Sequence, residues 1–366
     1  MAKPDMIQID GYDFYFWPYE EQTKMKHRVL AEYFRVWATK LGKYKPVIFF
    51  DCHGGCGAYW DAVKHEASWG SSILIAQQAE KLRDEYGRKV AVLVAEKDTE
   101  NAENLRKVIS FLNLGVVPQV SDGDFETKIS RPEVQKWYRD YPSLFFIDPF
   151  GFSLRYQDLP RIMSYPQNEL MINFMFDYIN RFISFKEQEE NFNQLFGCEE
   201  WKEAIPLAGW EREKKIVEVY RKQLKKFSRY VFAYRFSMFD KKRTYYYLFH
   251  ATDHIDGCTL MKSCFASHNY GKVEYLGNRT GSFTLFDLNE VRTIEVQHLL
   301  RKRYAGKTVS FDGIVEDNID DTYYLEKDIR TAIKELRKNA LVTVTAVTSK
   351  RDGISGDDRI TFCEDT

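Results

Sequence analysis

PVIFFDCHGGCG, residues 46–57, is an apolar run that ends in one carboxylate, Asp51, and then turns through Gly54, Gly55 and Gly57. A run without a polar position until its last residue is a strand buried on both faces, the kind found in parallel sheets covered by helices. The same unit recurs on either side of it. Ahead of it, Gln22 to Leu41 places Val29, Leu30, Tyr33, Phe34, Val36, Trp37 and Leu41 at helical spacing. After it come a helix from about Ser71 to Tyr86, the strand KVAVLVAEKD (89–98) ending at Glu96, and a helix over Asn101 to Leu112. VVPQVSDGD then ends at Asp122 and Asp124, LFFIDPFG at Asp148 and ELMINFMFD at Asp177. Strands alternating with helices, each strand tipped by an acid, predict a doubly wound, Rossmann-like α/β sheet with a ligand crevice outside the strands' carboxyl ends.

The second half has a different texture. Phe227 to Phe236 and Arg243 to Ala251 read as two β-strands joined by Asp240-Lys241-Lys242, an antiparallel hairpin that closes the sheet, and Cys258 to Cys264 suggests a helix after it. From about Val291 a separate unit begins: an amphipathic helix over Tyr324 to Asn339, a strand over Leu341 to Val347, a basic loop over Ser349 to Asp358, and a returning strand over Arg359 to Phe362. Helix followed by hairpin is the arrangement of a winged helix. The expected organisation is an N-terminal helical segment (1–45), an α/β domain (46–290) and a winged-helix-like domain (291–366).

The chain has 366 residues, suited to two domains, and its 27 Phe, 23 Tyr and 7 Trp supply ample apolar area for a core. A net charge of −1 excludes a whole-protein field that attracts nucleic acid, so any such binding must come from local basic patches. No apolar run approaches the roughly 20 residues that span a bilayer, and MAKPDMIQID lacks a signal peptide's apolar region, so a cytoplasmic protein without a membrane partner is expected. Six scattered cysteines argue for reduced thiols. Cys52 and Cys56 enclose His53, but the following positions hold Ala58, Tyr59 and Trp60 and no further ligand pair, so no metal is expected.

A nucleoside cofactor in such a crevice needs a glycine turn after the first strand, an acid after the second for the ribose hydroxyls, and a third polar group for the adenine. Asp51 with Gly54, Gly55 and Gly57, then Glu96, then Asp124 with Phe125 against the ring, fill those positions. The turn does not satisfy G-x-G-x-x-G, which favours S-adenosylmethionine over a dinucleotide, because it has no pyrophosphate to seat on a helix N-terminus. Helix capping is the competing account of each of these acids.

TKMKH (23–27), VIFFDCHGGCG, VLVAEKD, FFIDPFGF and INFMFDYINRF resemble the successive motifs of the three-Cys-motif partner protein family, and the resemblance extends to YYYLFHAT, Met261-Lys262 and the closing SKRDGISGDDRITF. It covers most of the chain. Members usually carry Phe-Ala-Gly-Pro-Gly where this chain has Cys52-His53-Gly54-Gly55-Cys56-Gly57, a loop one residue longer. The resemblance implies a class I, S-adenosylmethionine-dependent methyltransferase-like fold and a three-Cys-motif protein as partner.

Asp148-Pro149-Phe150-Gly151 also resembles the D-P-F-G of tRNA guanine-N2 methyltransferases and, more loosely, the D-P-P-Y of adenine-N6 enzymes. An exocyclic amino group is a poor nucleophile because its lone pair is delocalised into the ring. A carboxylate (Asp148) and a carbonyl (Pro149) that accept both of its hydrogens favour the pyramidal, attacking geometry, while Phe150 or Phe152 stacks on the extruded base. Lys24 and His27 on the preceding helix are candidates to meet substrate or the methionine carboxylate, with a solvated helix face as the alternative. Lys350 and Arg351, at the tip of the C-terminal hairpin, are candidates to meet phosphates of DNA or RNA. These readings converge on a methyltransferase for an exocyclic amino group of a nucleic-acid base. The alternatives are a cofactor-binding, catalytically degenerate partner subunit, in a setting such as phage defence, and a small-molecule methyltransferase.

Overall fold

Val47–Asp51 is the central strand of a seven-stranded sheet in the computed structural model, which describes residues 5–151, 153–238, 243–268, 285–347 and 353–364. The chain divides into two units, residues 1–278 and 279–366. In chain order the first unit runs β1 (Asp5–Ile9), β2 (Tyr12–Pro18), α1 (Glu21–Leu41), β3 (Val47–Asp51), β4 (Ala58–Asp61), β5 (Glu66–Trp69), α2 (Ser71–Tyr86), β6 (Val90–Glu96), α3 (Thr99–Leu112) and β7 (Gln119–Asp122). It continues through α4 (Phe125–Ile129), α5 (Pro132–Asp140), β8 (Ser143–Ile147), α6 (Leu159–Met163), β9 (Asn168–Phe174), α7 (Phe176–Phe182), α8 (Glu189–Phe196), α9 (Gly209–Leu224), β10 (Tyr230–Met238), β11 (Arg243–Thr252) and α10 (Ile255–Ser267).

The strand order is β10-β11-β9-β8-β3-β6-β7. The five strands from β9 to β7 are parallel, and β11 runs antiparallel to both β9 and β10. Every residue of β3, β8 and β9 is buried, which is why these segments are unbroken apolar runs. Phe50 and Phe145 stack across β3 and β8 with ring centroids 4.3 Å apart. Because the parallel strands share one direction, Asp51, Glu96, Asp122 and Asp148 all sit at or just past the same edge.

Two features depart from the expected organisation. The first 45 residues are not a separate helical segment: β1 and β2 form a hairpin ahead of α1, with Phe14 and Phe16 each 1% exposed. Asp10 and Gly11 make its turn with φ of 49° and 84°, the left-handed pair of a two-residue hairpin loop. The glycine turn after β3 does not lead into a helix either. Strands β4 and β5 intervene before α2, and β4 pairs parallel with β2, giving a second, four-stranded sheet in the order β1-β2-β4-β5.

The second unit comprises α11 (Leu285–Tyr304), β12 (Thr308–Ser310), α12 (Phe311–Asn318), α13 (Glu326–Lys338), β13 (Val342–Thr345) and β14 (Arg359–Phe362). Its sheet order is β12-β14-β13, and α13 buries Ile329, Ala332, Ile333 and Leu336. Val291, the expected boundary, lies inside α11, so the division falls before that helix. Phe152, the Asp240-Lys241-Lys242 turn, Lys350 and Arg351 lie outside the described residues.

Candidate active site

Asp148 follows β8 at the carboxyl edge, with 21% of its side chain exposed. Its two oxygens are held from different elements. Lys26 on α1 forms an ion pair with Oδ2, and Asn173 near the end of β9 donates from Nδ2 to Oδ1. Burial alone would raise the pKa of Asp148, but the Lys26 ammonium, with the Asn173 hydrogen bond, holds its carboxyl below the ordinary value. Each oxygen keeps a lone-pair site for a further donor.

Beside it, Asp51 ends β3 and is 1% exposed. It accepts from the Ser71 hydroxyl at the start of α2 and, at 3.4 Å, from the His53 amide. Burial pushes its carboxyl up to about 7; the Ser71 hydrogen bond opposes this, and the nearby Asp148 charge adds to it. His53 is held neutral, its pKa pushed down by burial to about 4, and its Nδ1 is buried without a hydrogen-bond partner.

The glycine turn is pinned from the neighbouring strand. The Gly55 amide donates to Glu96 Oε2 at 2.6 Å, the Asp98 amide to Oε1 at 2.8 Å, and the Gly54 amide to the Ala95 carbonyl at 3.0 Å. Gly54 and Gly57 are needed for close packing, since a Cβ on them would meet Val94 Cγ1 at 2.4 Å and Leu105 Cδ1 at 2.5 Å. Gly55, with φ +60°, faces open space. Phe125 is 3% exposed and sits 6.2 Å from the His53 ring. With Asp51, Cys52, Ala95 and Trp137 it lines a cleft of about 170 Å³.

The Tyr19, His27 and Tyr59 rings cluster with centroids 5.2 to 5.6 Å apart, and the Tyr19 hydroxyl meets His27 Nδ1 at 3.1 Å. Two residues past Asp148, Phe150 is 56% exposed and edges onto Tyr178 at 6.0 Å. The two line an open groove of about 340 Å³ with Gly151, Ser153 and Phe182.

Thus Asp148, Pro149, Asp51, the glycine turn and Glu96 gather at one edge, with Phe150 at its rim. One expected role changes. Lys24 is taken up by Glu21 at 2.6 Å and by buried Asp61 at 2.7 Å, tying α1 to the inserted β4–β5 hairpin, so it is not a substrate group. Asp124 caps α4 by accepting from the Thr127 amide at 2.8 Å through Oδ1, and the Thr127 side chain and amide together hold its carboxyl below the ordinary value. Lys26 and Asn173 were missed. Lys26 precedes Val29, Leu30 and Tyr33 by three, four and seven residues, which puts a lysine on the apolar face of α1, and that pattern was readable. Among the described residues no group of three or more His, Cys, Asp and Glu is arranged to hold a metal, and no helix is long and apolar enough to cross a membrane.

The strand order, with one antiparallel strand inserted next to the edge, defines a mixed α/β fold whose mostly parallel sheet matches that of class I methyltransferases. No family profile and no curated protein matches the chain. Solved structures with a likeness to it include a spermidine synthase in complex with the transition state analogue AdoDATO (TM-score 0.38, 11% identity, 70% of this chain and 67% of that one). Others are an O-methyltransferase from Bacillus cereus in complex with SAH (0.34, 14% identity, 61% and 80%) and a protein from Legionella pneumophila (0.36, 11% identity, 62% and 85%). At these scores the fold assignment rests on the strand order.

Proposed function

We propose that this protein is an S-adenosylmethionine-dependent methyltransferase whose acceptor is an exocyclic amino group of a nucleic-acid base. The observation that carries this reading is the setting of Asp148. It is a partly exposed carboxylate at the carboxyl end of β8, one strand from the glycine turn, anchored by Lys26 and Asn173 and flanked by the exposed ring of Phe150.

The residues present fit the cofactor. Gly55 opens toward free space beside Glu96, the Asp51 carboxyl lies under the turn, and the buried His53 Nδ1 lacks a partner that a polar ligand would supply. Asp51, Gly55 and Glu96 would hold S-adenosylmethionine, with Phe125 walling the adjoining cleft. When bound, this cofactor supplies an electrophilic methyl group. Asp148 and the Pro149 carbonyl accept the two amino hydrogens and aim the nitrogen lone pair; the proton lost on methylation leaves to water. Phe150 and Tyr178 offer ring faces and edges to the base plane. To the second unit, with its helices and its β13–β14 pair, we assign a winged-helix-like role in nucleic-acid docking, for which Lys350 and Arg351, outside the described residues, are the expected phosphate contacts.

Calorimetry with S-adenosylhomocysteine tests the first half: binding that weakens in Glu96→Ala is expected, and no binding to the wild type overturns it. Mass spectrometry of nucleosides from cells with and without the gene tests the second, a methylated purine disappearing with the gene. A second reading, a cofactor-binding subunit without its own catalysis that serves a three-Cys-motif protein, is favoured by the ion pair that Lys26 makes with Asp148. Cofactor binding with an unchanged cellular phenotype in Asp148→Ala would select it.

A further inference from the structure

We propose that Lys26 sets the charge of the acceptor this site admits: a neutral amino group conjugated to a ring, and not a protonated aliphatic amine. The inference rests on the reading above, in which Asp148 receives the acceptor, and it names the class of amine.

A lone carboxylate at a strand end would attract any ammonium ion. Asp148 already has one. Lys26 is 6% exposed, its Nζ paired to Asp148 Oδ2 and lying over the rings of Phe146 at 5.8 Å and Tyr246 at 5.5 Å. It cannot easily swing away. The Tyr246 ring is itself stacked on buried Phe236 at 4.3 Å, and the Tyr246 hydroxyl donates to the Gln22 carbonyl at 2.9 Å, fixing the first turn of α1 against β11. Neighbouring Met25 and His27 are buried as well, so the helix face that carries Lys26 is locked.

The pair is therefore electrically neutral while both oxygens of Asp148 keep acceptor capacity. An amino group on a purine is uncharged at neutral pH and donates two hydrogens, which suits such a site. A protonated amine would have to bring a second positive charge into contact range of Lys26 Nζ in a desolvated place, or expel Lys26 from a carboxylate it is built to meet. His27, the other titratable group adjoining Lys26, is held neutral by burial, with the Lys26 charge adding to the effect, and so does not offset that charge. A lysine, rather than an apolar residue, at this core position of α1 then serves as a filter.

Putrescine tests this on the full-length chain, by calorimetry in the presence of S-adenosylhomocysteine, against wild type, Lys26→Met and Lys26→Arg. Putrescine should bind Lys26→Met at least 30-fold more tightly than wild type, and Lys26→Arg should exclude it as wild type does. Binding to wild type within threefold of Lys26→Met, including no binding to either, overturns the proposal. Should Lys26→Met not fold, refolding yield of Lys26→Ala in methylammonium chloride against sodium chloride decides: recovery specific to methylammonium supports a cation site held by Lys26, and equal yields overturn it. Binding of a single-stranded oligonucleotide of mixed sequence, followed by anisotropy, reports on the base reading alone, whichever way the putrescine ratio falls.

Discussion

The Gly55 amide donates to Glu96 Oε2 at 2.6 Å, so the acid at the end of β6 is a brace for the turn after β3 before it is anything else. Its other oxygen braces its own strand end through the Asp98 amide at 2.8 Å. A carboxylate so held has remaining lone pairs aimed along one edge, which is what a pair of vicinal hydroxyls requires. Replacing Glu96 with alanine releases the Gly55 amide and removes the hydroxyl acceptor together. The expected outcome is a loss of about 1 kcal/mol of stability, from the hydrogen bonds, with a drop in S-adenosylhomocysteine affinity of roughly 10- to 100-fold, as for a lost charged hydrogen bond. Urea unfolding and calorimetry on the same preparation separate the two effects.

The glycines of the turn differ in what they are for. Gly55 has φ +60°, and a Cβ added there would meet nothing within 4 Å, so Gly55→Ala carries only the left-handed penalty, about 1 kcal/mol. Gly57 has φ +76° and would drive a methyl to 2.5 Å from Leu105 Cδ1 in the core under α3. Gly57→Ala should cost about 3 kcal/mol, strain and overpacking together. Denaturant midpoints for the two variants, in that order, check the assignment of one glycine to ligand approach and the other to packing.

Much of the sheet was legible because its strands are buried on both faces and leave unbroken apolar runs in the sequence, and because helices separate them at regular intervals. The second sheet was not, since β4 and β5 are only four residues each and their apolar positions do not alternate over a readable length. The turn at Asp10-Gly11 did announce β1 and β2, but the strong helical periodicity of α1 dominated that region. In the site, Asp51, Glu96 and Asp148 could be read from their places at strand ends. Lys26 and Asn173 could not be paired with Asp148 from spacing, because the partners are brought together from α1, β8 and β9, and Lys26 stands 122 residues from Asp148. Asp124 shows that an acid at an expected strand end also caps the helix that follows it.

Phe150 is exposed and its ring contact is an edge onto Tyr178, so the fold gains little from it. Phe150→Ala should leave the denaturation midpoint within the range of an ordinary surface change, about 0.5 kcal/mol. If the ring stacks on a base, the same substitution removes about 1–3 kcal/mol of acceptor binding, roughly 5- to 150-fold, without altering cofactor affinity. Oligonucleotide anisotropy beside cofactor calorimetry distinguishes this from a general loss of the site; an unchanged oligonucleotide affinity would assign Phe150 to neither.

Asp51 gives the pH dependence its sign. Its carboxyl, 3.8 in an ordinary setting, is pushed up to about 7 by burial, so the folded protein keeps a proton there that the unfolded chain gives up. Between those values the native state binds more protons than the unfolded one, and stability contributed by this group is present at low pH and lost as pH rises toward 7. Asp51→Asn stays neutral throughout. Relative to wild type, the variant should therefore gain stability on going from pH 5 to pH 8, by on the order of a few kcal/mol, seen as converging or crossing unfolding curves in urea at the two pH values. A cationic group bound beside Asp51 would reverse the cost by stabilising the ionised form. S-Adenosylmethionine, which carries an ammonium and a sulfonium, should then bind wild type more tightly at pH 8 than at pH 6 and release protons on binding at pH 6, whereas Asp51→Asn should lose that proton release. Calorimetry in two buffers of different ionisation enthalpy measures it directly.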